Sequence, residues 1–177
     1  MQSLERSLTA YAAYHRDRRN IVTHFFGVPL IVFAIILALA TVSIPVGALA
    51  ISWAAVLSIA LCVYYVRLDL VLGVAMAAVL FLMCAGASEI TARTTNAGAL
   101  LGAATIFTLG WALQFLGHKF EGLKPAFFED LMQLIIGPLF VCAEIFFLLG
   151  AKSELRRRIE ERVGPTVARR IHSPATR

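Results

Sequence analysis

Residues 25–44 decide the fold, and they read FFGVPLIVFAIILALATVSI. This stretch contains no charged side chain. An α-helix that crosses the hydrocarbon core of a bilayer needs about 20 mainly apolar residues. The stretch has that length, so it predicts a transmembrane helix.

Four further apolar blocks follow it, separated by short polar or turn-forming breaks. Glu144 is the only charged residue inside any of the blocks, which are Val46–Val66, Leu70–Ser88, Ala97–Leu116 and Leu131–Leu149. The whole chain is 59% hydrophobic and 15% charged, whereas soluble domains are about half apolar and a quarter charged. This pattern predicts an all-α, polytopic transmembrane helical bundle with four spans and a fifth apolar segment that is broken or re-entrant.

The fifth segment decides where the basic residues lie. If it crosses, seven Lys and Arg residues lie on one side of the membrane and nine on the other. If it enters and returns, only Arg93 lies apart from the other fifteen of the sixteen. The positive-inside rule favours the second arrangement, with both termini on the cytoplasmic face. Gly137-Pro138 offers a place to turn, and a proline-kinked fifth span is the alternative.

The C-terminal residues 151–177 are predicted to form a basic surface helix and tail, outside a membrane-embedded catalytic domain of residues 1–150. Eight of the sixteen basic residues lie in this tail, and the net charge is +5. Basic residues that flank apolar segments are explained by anionic lipid headgroups, so we predict a membrane lipid partner and no nucleic acid. A homo-oligomer is compatible with the sequence.

Three histidines are predicted to meet at one membrane face. His15 and His24 precede the first span, and His118 follows the fourth. Nine positions on one straight helix would place His15 and His24 on opposite sides. They converge only if the chain bends between them, and Asn20, a favoured helix N-cap, could supply that bend.

A second polar group accompanies His118. Gln114, His118 and Glu121 share one helix face at spacings i, i+4 and i+7. Imidazoles beside a carboxylate suit a non-heme iron(II) that activates dioxygen, and zinc with a bound hydroxide is the other candidate. The alternative is that the histidines serve as anchors in the headgroup layer. Glu144 should face protein or a cavity, because a lone carboxylate in lipid is unfavourable.

The same positions carry a resemblance to the 2-hydroxy fatty acid dioxygenase family. It covers nearly the whole chain through Gly150, and the matching positions are Tyr14-His15, Asn20, His24, Pro29, Gly110-Trp111, Gln114-Phe115, Gly117-His118, Glu121, Pro125-Ala126, Leu131, Gln133, Pro138 and Glu144. Where the family pattern has an Asp-Asn pair, this chain has Glu129-Asp130.

The resemblance implies an enzyme that uses iron(II) and dioxygen to shorten 2-hydroxy fatty acids by one carbon. His15, His24 and His118 would bind Fe(II), with Asn20, Gln114, Glu121 and Glu144 as further catalytic residues. The substrate carboxylate would be held by basic residues at the same face, among them Arg16, Arg19 and Lys119.

The membrane would be the inner or plasma membrane of a bacterium or the endoplasmic reticulum of a eukaryote, with the active site on the cytoplasmic face. A zinc hydrolase, or a small transporter or assembly factor without enzymatic activity, remains as an alternative.

Overall fold

The computed structural model describes residues 3–46, 49–123, 130 and 132–167. Within this part of the chain seven helices and one short hairpin follow in the order α1 (Ser3–Ala12), α2 (Arg18–Ala40), β1 (Ser43–Val46), β2 (Leu49–Ser52), α3 (Trp53–Leu68), α4 (Leu70–Arg93), α5 (Asn96–Glu121), α6 (Met132–Leu148) and α7 (Ser153–Val163). The chain is therefore predominantly helical, as predicted.

Three of the described helices, α2, α4 and α5, are long and apolar enough to cross a membrane. The second predicted span, Val46–Val66, is divided between β2 and the 16-residue helix α3. Antiparallel pairing of β1 with β2 is a correction to the all-α prediction. The β-branched residues Val42, Ile44 and Ile51 favour extended backbone here.

Glycines bring α2 and α5 together as the most extensive helix pair among the described elements. A Cβ atom on Gly110 would lie 3.0 Å from the carbonyl oxygen of Gly27. A Cβ on Gly117 would overlap side-chain atoms of Asn20 and Thr23. Small residues allow membrane helices to approach this closely, and the contact places the end of α5 beside the start of α2.

Helix α6 is continuous through Gly137 and Pro138, so the predicted turn at these residues is wrong. Gly137 serves packing instead, because a Cβ atom there would lie 3.0 Å from the Tyr11 hydroxyl. Proline is tolerated inside membrane helices when surrounding groups satisfy the freed carbonyl. The sharp bend, 115°, lies between α6 and α7.

The chain leaves one end of the bundle after α5 and returns to the same end after α6. At the end of α5, Glu121 contacts the backbone of Arg16, and after α6, Lys152 forms an ion pair with Asp69 at the α3–α4 junction. Helix α7 then packs against α1, with Ile159 buried. The bent α6–α7 pair fits a broken span as well as a re-entrant segment, so the re-entrant arrangement stays a prediction.

Candidate metal centre

The three predicted histidines converge in one buried cluster. His15 lies in the turn between α1 and α2, His24 in the second turn of α2, and His118 in the last turn of α5. Their exposed fractions are 1%, 1% and 6%. One ring nitrogen from each lies within 4.8 Å of the others. Ligands on opposite sides of one metal ion are ~4 Å apart, so the cluster is close to the size of a coordination sphere.

The bend that brings His15 to His24 comes from Asp17. Asp17 is the N-cap of α2, and its carboxylate accepts a hydrogen bond from the backbone amide of Arg19 at 2.8 Å. Helix α1 ends at Ala12, so His15 stands in a non-helical turn. The prediction that Asn20 is the N-cap is therefore wrong, because Asn20 already lies within α2.

Glu121 holds this turn from the end of α5. Its two carboxylate oxygens accept hydrogen bonds from the backbone amides of Arg16, at 3.0 and 3.1 Å, and Asp17, at 2.7 Å. The side-chain amide of Asn20 donates a further bond at 3.1 Å. Glu121 is only 3% exposed. A single buried carboxylate thus links segments more than one hundred positions apart and fixes His15 opposite His118.

The hydrogen bonds of the rings determine which nitrogens carry hydrogen. Nδ1 of His15 lies 2.7 Å from the carbonyl oxygen of Tyr11, and Nδ1 of His24 lies 2.8 Å from that of Asn20. A carbonyl oxygen only accepts, so both Nδ1 atoms donate. In the neutral rings both Nε2 atoms then present lone pairs, and these atoms are 3.0 Å apart.

Two facing lone pairs at this distance require a cation between or beside them. Two nitrogens that each lie ~2.1 Å from one metal ion at a right angle are ~3.0 Å apart. A proton is the other cation available, but burial holds the pKa of His15 well below its usual value, and positive charge on His24 or His118 lowers it further. The donor set therefore fits a divalent metal ion.

An apolar cavity extends from the histidines along α2 and α5. The space in it that is open to the centre of a water-sized sphere measures about 200 Å³. One helical face of each of α2 and α5 lines it, and the first turns of α6 cover it. The lining residues are Tyr11, His15, His24, Val28, Ile31, Val32, Ile35, Phe107, Trp111, Gln114, His118, Gln133, Leu134, Gly137 and Pro138.

The polar end of the cavity contains Gln114, as predicted from helical phase, and Tyr11, which sequence reasoning missed. Gln114 is 5% exposed, and its Nε2 has no hydrogen-bond partner among the described residues. The ring of Tyr11 stacks on that of His15, with centroids 4.1 Å apart and planes 4° apart. The i, i+4 spacing of Tyr11 and His15 was the sequence signal for this contact.

The basic residues predicted to hold the substrate carboxylate do not line this cavity. The buried guanidinium of Arg16 donates to the carbonyl oxygens of Ala12, His15 and Gly164. Arg19 forms an ion pair with Asp17 at 2.8 Å. Lys119 is exposed to the surroundings. A direct substrate role for Arg16, Arg19 or Lys119 stays a prediction.

Glu144 lies half-buried on α6, apart from the three histidines. It is within electrostatic range of Arg16 and of Arg156 on α7. Glu144 therefore belongs to the region where α6, α7 and the α1–α2 turn meet. In the same region Arg16 donates a hydrogen bond to the carbonyl oxygen of Gly164. A catalytic role for Glu144 stays a prediction.

Residues 1–149 match the family described as 2-hydroxy-palmitic acid dioxygenase Mpo1-like. The matched range contains the whole histidine cluster and its cavity. This chain belongs to the Mpo1-like family. The resemblance inferred from the sequence motifs is thereby confirmed.

The 2-hydroxy-palmitic acid dioxygenase MPO1 of Saccharomyces cerevisiae is 32% identical to this Mpo1-like chain over 159 residues. That alignment covers 89% of this chain and 87% of the yeast protein. No solved structure matches the chain. The family assignment supports an enzyme of the 2-hydroxy fatty acid dioxygenase class, in a chain with at least three helices suited to crossing a membrane.

Proposed function

We propose that this protein is an iron(II)-dependent dioxygenase that shortens 2-hydroxy fatty acids by one carbon. The observation that carries the proposal is the pair of Nε2 atoms of His15 and His24, 3.0 Å apart, with both Nδ1 hydrogens directed to backbone carbonyls. Three neutral imidazoles alone suit iron(II) or zinc. Membership of a dioxygenase family favours iron.

The proposed reaction needs no further reductant. A 2-hydroxy acid and one O₂ give one CO₂, one water and the fatty acid that is one carbon shorter. The C1–C2 bond breaks, C2 is oxidised from the alcohol to the carboxyl level, and both atoms of O₂ are reduced. Iron(II), when bound, supplies the activation of dioxygen and positive charge for the substrate's carboxylate and hydroxyl oxygens.

The protein groups position the rings and the substrate. The carbonyls of Tyr11 and Asn20 orient His15 and His24, as partners beyond the ligands commonly do in metal sites. The amide of Gln114 and the phenol of Tyr11 are the polar groups beside the histidines in the cavity wall. We assign them to the carboxylate and the 2-hydroxyl of the substrate. The apolar lining beyond them excludes water and receives the acyl chain.

We further propose that α3, although short, is the second of four spans and that the histidine end of the bundle faces the cytoplasm. Among the residues that the structure describes, every Lys and Arg except Arg93 belongs to that end or to the segments joined to it. Reporter fusions at the N-terminus and after Gly150 should both report the cytoplasm. Opposite locations would refute this topology.

The activity is tested with purified, iron-loaded protein and a 2-hydroxy fatty acid labelled at C1. We expect equal molar amounts of O₂ consumed and labelled CO₂ released, together with the shortened acid. The matched controls are the same acid without its hydroxyl group and the same protein loaded with zinc. Turnover that is independent of O₂ would support a zinc hydrolase instead, and absence of turnover would support a non-enzymatic protein.

A further inference from the structure

The cavity beyond the histidines has a defined direction. On α2 its lining residues His24, Val28, Ile31 and Ile35 follow one helical face, and on α5 the face runs back from His118 to Phe107. At 1.5 Å per residue, both faces extend ~16 Å from the histidines. The end with the histidines, Gln114 and Tyr11 is therefore polar, and the rest of the lining is apolar apart from Gln133 on α6.

The far end of this passage, at Ile35 and Phe107, is exposed at the protein surface. Ile35 and Phe107 are each 39% exposed, and Leu134, where α6 covers the passage, is 48% exposed. By contrast, Val28 next to the histidines is 8% exposed. The passage is thus closed around its polar end and open at the depth of Ile35 and Phe107.

We infer that this passage is a straight acyl channel in which depth along α2 corresponds to carbon number, and that it opens laterally into the membrane between Ile35, Phe107 and Leu134. The inference rests on the proposed function, because it places C1 and C2 of a 2-hydroxy acid at the histidines. The chain then runs toward the hairpin end of the bundle, and its methyl end reaches the lipid.

The dimensions translate into chain lengths. An extended chain with bonds of 1.52 Å opened to ~111° advances ~1.25 Å per carbon. The distance from His24 is ~6 Å to Val28, ~10 Å to Ile31 and ~16 Å to Ile35, which correspond to ~5, ~8 and ~13 carbons beyond C2. A chain that fills the passage is close in length to palmitic acid, the parent acid in the name of the yeast relative.

Selectivity in such a channel is steric. Lipid tails are as apolar as the channel wall, so moving a chain from the bilayer into the passage yields little net hydrophobic free energy. The native protein should therefore accept long chains without an upper limit, because excess carbons emerge at the open end. A side chain that fills the passage should impose a limit at its own depth.

A tryptophan series tests the inference. Val28→Trp, Ile31→Trp and Ile35→Trp are compared on 2-hydroxy acids of increasing length in mixed micelles of fixed composition. Val22→Trp is the matched control, since Val22 is on α2, is 47% exposed and does not line the cavity. We expect upper limits at about 7, 10 and 15 carbons, with kcat/KM at least about tenfold lower beyond each limit.

Two results would overturn the channel while leaving the proposed function intact. In the first, the native protein is active, but the upper limits of substrate chain length in the three variants do not follow the depth of the substituted residues along the passage. The other is a limit in Val22→Trp equal to those of the series. An inactive native protein would instead refute the proposed function. Any two variants that stay monodisperse suffice, because the order of their limits is the prediction.

A second measurement is independent of turnover. A 2-hydroxy acid that carries a photoreactive diazirine in mid-chain should label the depth of Ile31 and Trp111 in the native protein. The same group at the methyl end should label Ile35, Phe107 or Leu134. Label from the methyl end that appears beside the histidines would reverse the direction of the chain and overturn the inference.

Discussion

Replacing Glu121 with Ala should unfold the α1–α2 turn and with it the metal centre. The carboxylate accepts hydrogen bonds from three buried donors, the amides of Arg16 and Asp17 and the side chain of Asn20. Leaving a buried donor unsatisfied costs about 1–3 kcal/mol. The substitution should therefore lower the free energy of unfolding by roughly 3 kcal/mol or more, a large part of the ~5–15 kcal/mol of a typical domain.

The assay has two readouts, unfolding of the metal-free protein in detergent and the iron content of the loaded protein. Glu121→Ala should lower the stability of the metal-free protein and reduce iron affinity by at least ~10–100-fold, as loss of groups that orient ligands does. Glu121→Gln should have a smaller effect, because one oxygen accepts from all three donors and the amide N–H₂ would face only the backbone N–H of Arg16. Glu89→Ala is the control, because Glu89 is an exposed carboxylate paired only with Arg93 among the described residues.

The metal-free measurement separates two roles for Glu121. If Glu121 holds the turn, its loss destabilises the protein with or without metal. If it is instead a fourth ligand, only the loaded protein is affected. Wild-type stability and iron content in Glu121→Ala would refute the assignment of Glu121 to the turn.

The remaining predictions concern the ligands, the cavity wall and the α3–α4 junction. His24→Ala should lose most bound iron and nearly all activity in folded protein, whereas His172→Ala in the tail should lose neither, and full iron in His24→Ala would place the metal elsewhere. Tyr11→Phe keeps the ring that stacks on His15 and the backbone carbonyl, so the iron content should be unchanged. The KM for the 2-hydroxy acid should rise about tenfold, as loss of a hydrogen bond to a charged group predicts. Tyr64→Phe, remote from the cavity, is the control, and an unchanged KM in Tyr11→Phe would show that the phenol does not contact the substrate. Burial alone would raise the pKa of Asp69, but hydrogen bonds from the Leu72 amide and Lys152 outweigh it and hold the pKa below its usual value. Its contribution to stability should therefore be complete above about pH 4 and lost as the pH falls further, and Asp69→Asn, which can still cap α4, should lose this acid dependence in an unfolding titration.

The local sequence was sufficient to predict the helices and the end of the helix bundle at which the site lies. Apolar blocks such as 25–44 predict membrane helices because hydrocarbon requires each segment to satisfy its own backbone hydrogen bonds. The helix predicted within residues 151–177 is observed as Ser153–Val163. Chain order alone then places His24 and His118 at one end of an antiparallel helix pair, and the phase of α5 places Gln114 on the same face as His118.

The β1–β2 hairpin was only partly predictable from the sequence. Alternating β-branched residues from Val42 to Val46 carried a local signal for extended backbone, but the hydropathy of the block outweighed it in the prediction. The turn at Gly137-Pro138 failed for a different reason. A Gly-Pro pair in a sequence can either break a helix or make room for a neighbouring side chain. Only the position of Tyr11 in the structure shows that Gly137 makes room for a neighbour.

Tertiary structure alone decided how the site is built. His15 joins the cluster because Glu121 forms hydrogen bonds with a turn that lies 105 positions away in the sequence. Such a contact produces no periodic pattern in the sequence of either segment. The same contact directs Arg16 to backbone carbonyls and away from the cavity, although its charge had suggested substrate binding. Periodicity reports the face of one helix, whereas the hydrogen bonds and the cavity depend on the relative placement of three helices and a turn, which is fixed by packing between residues distant in sequence.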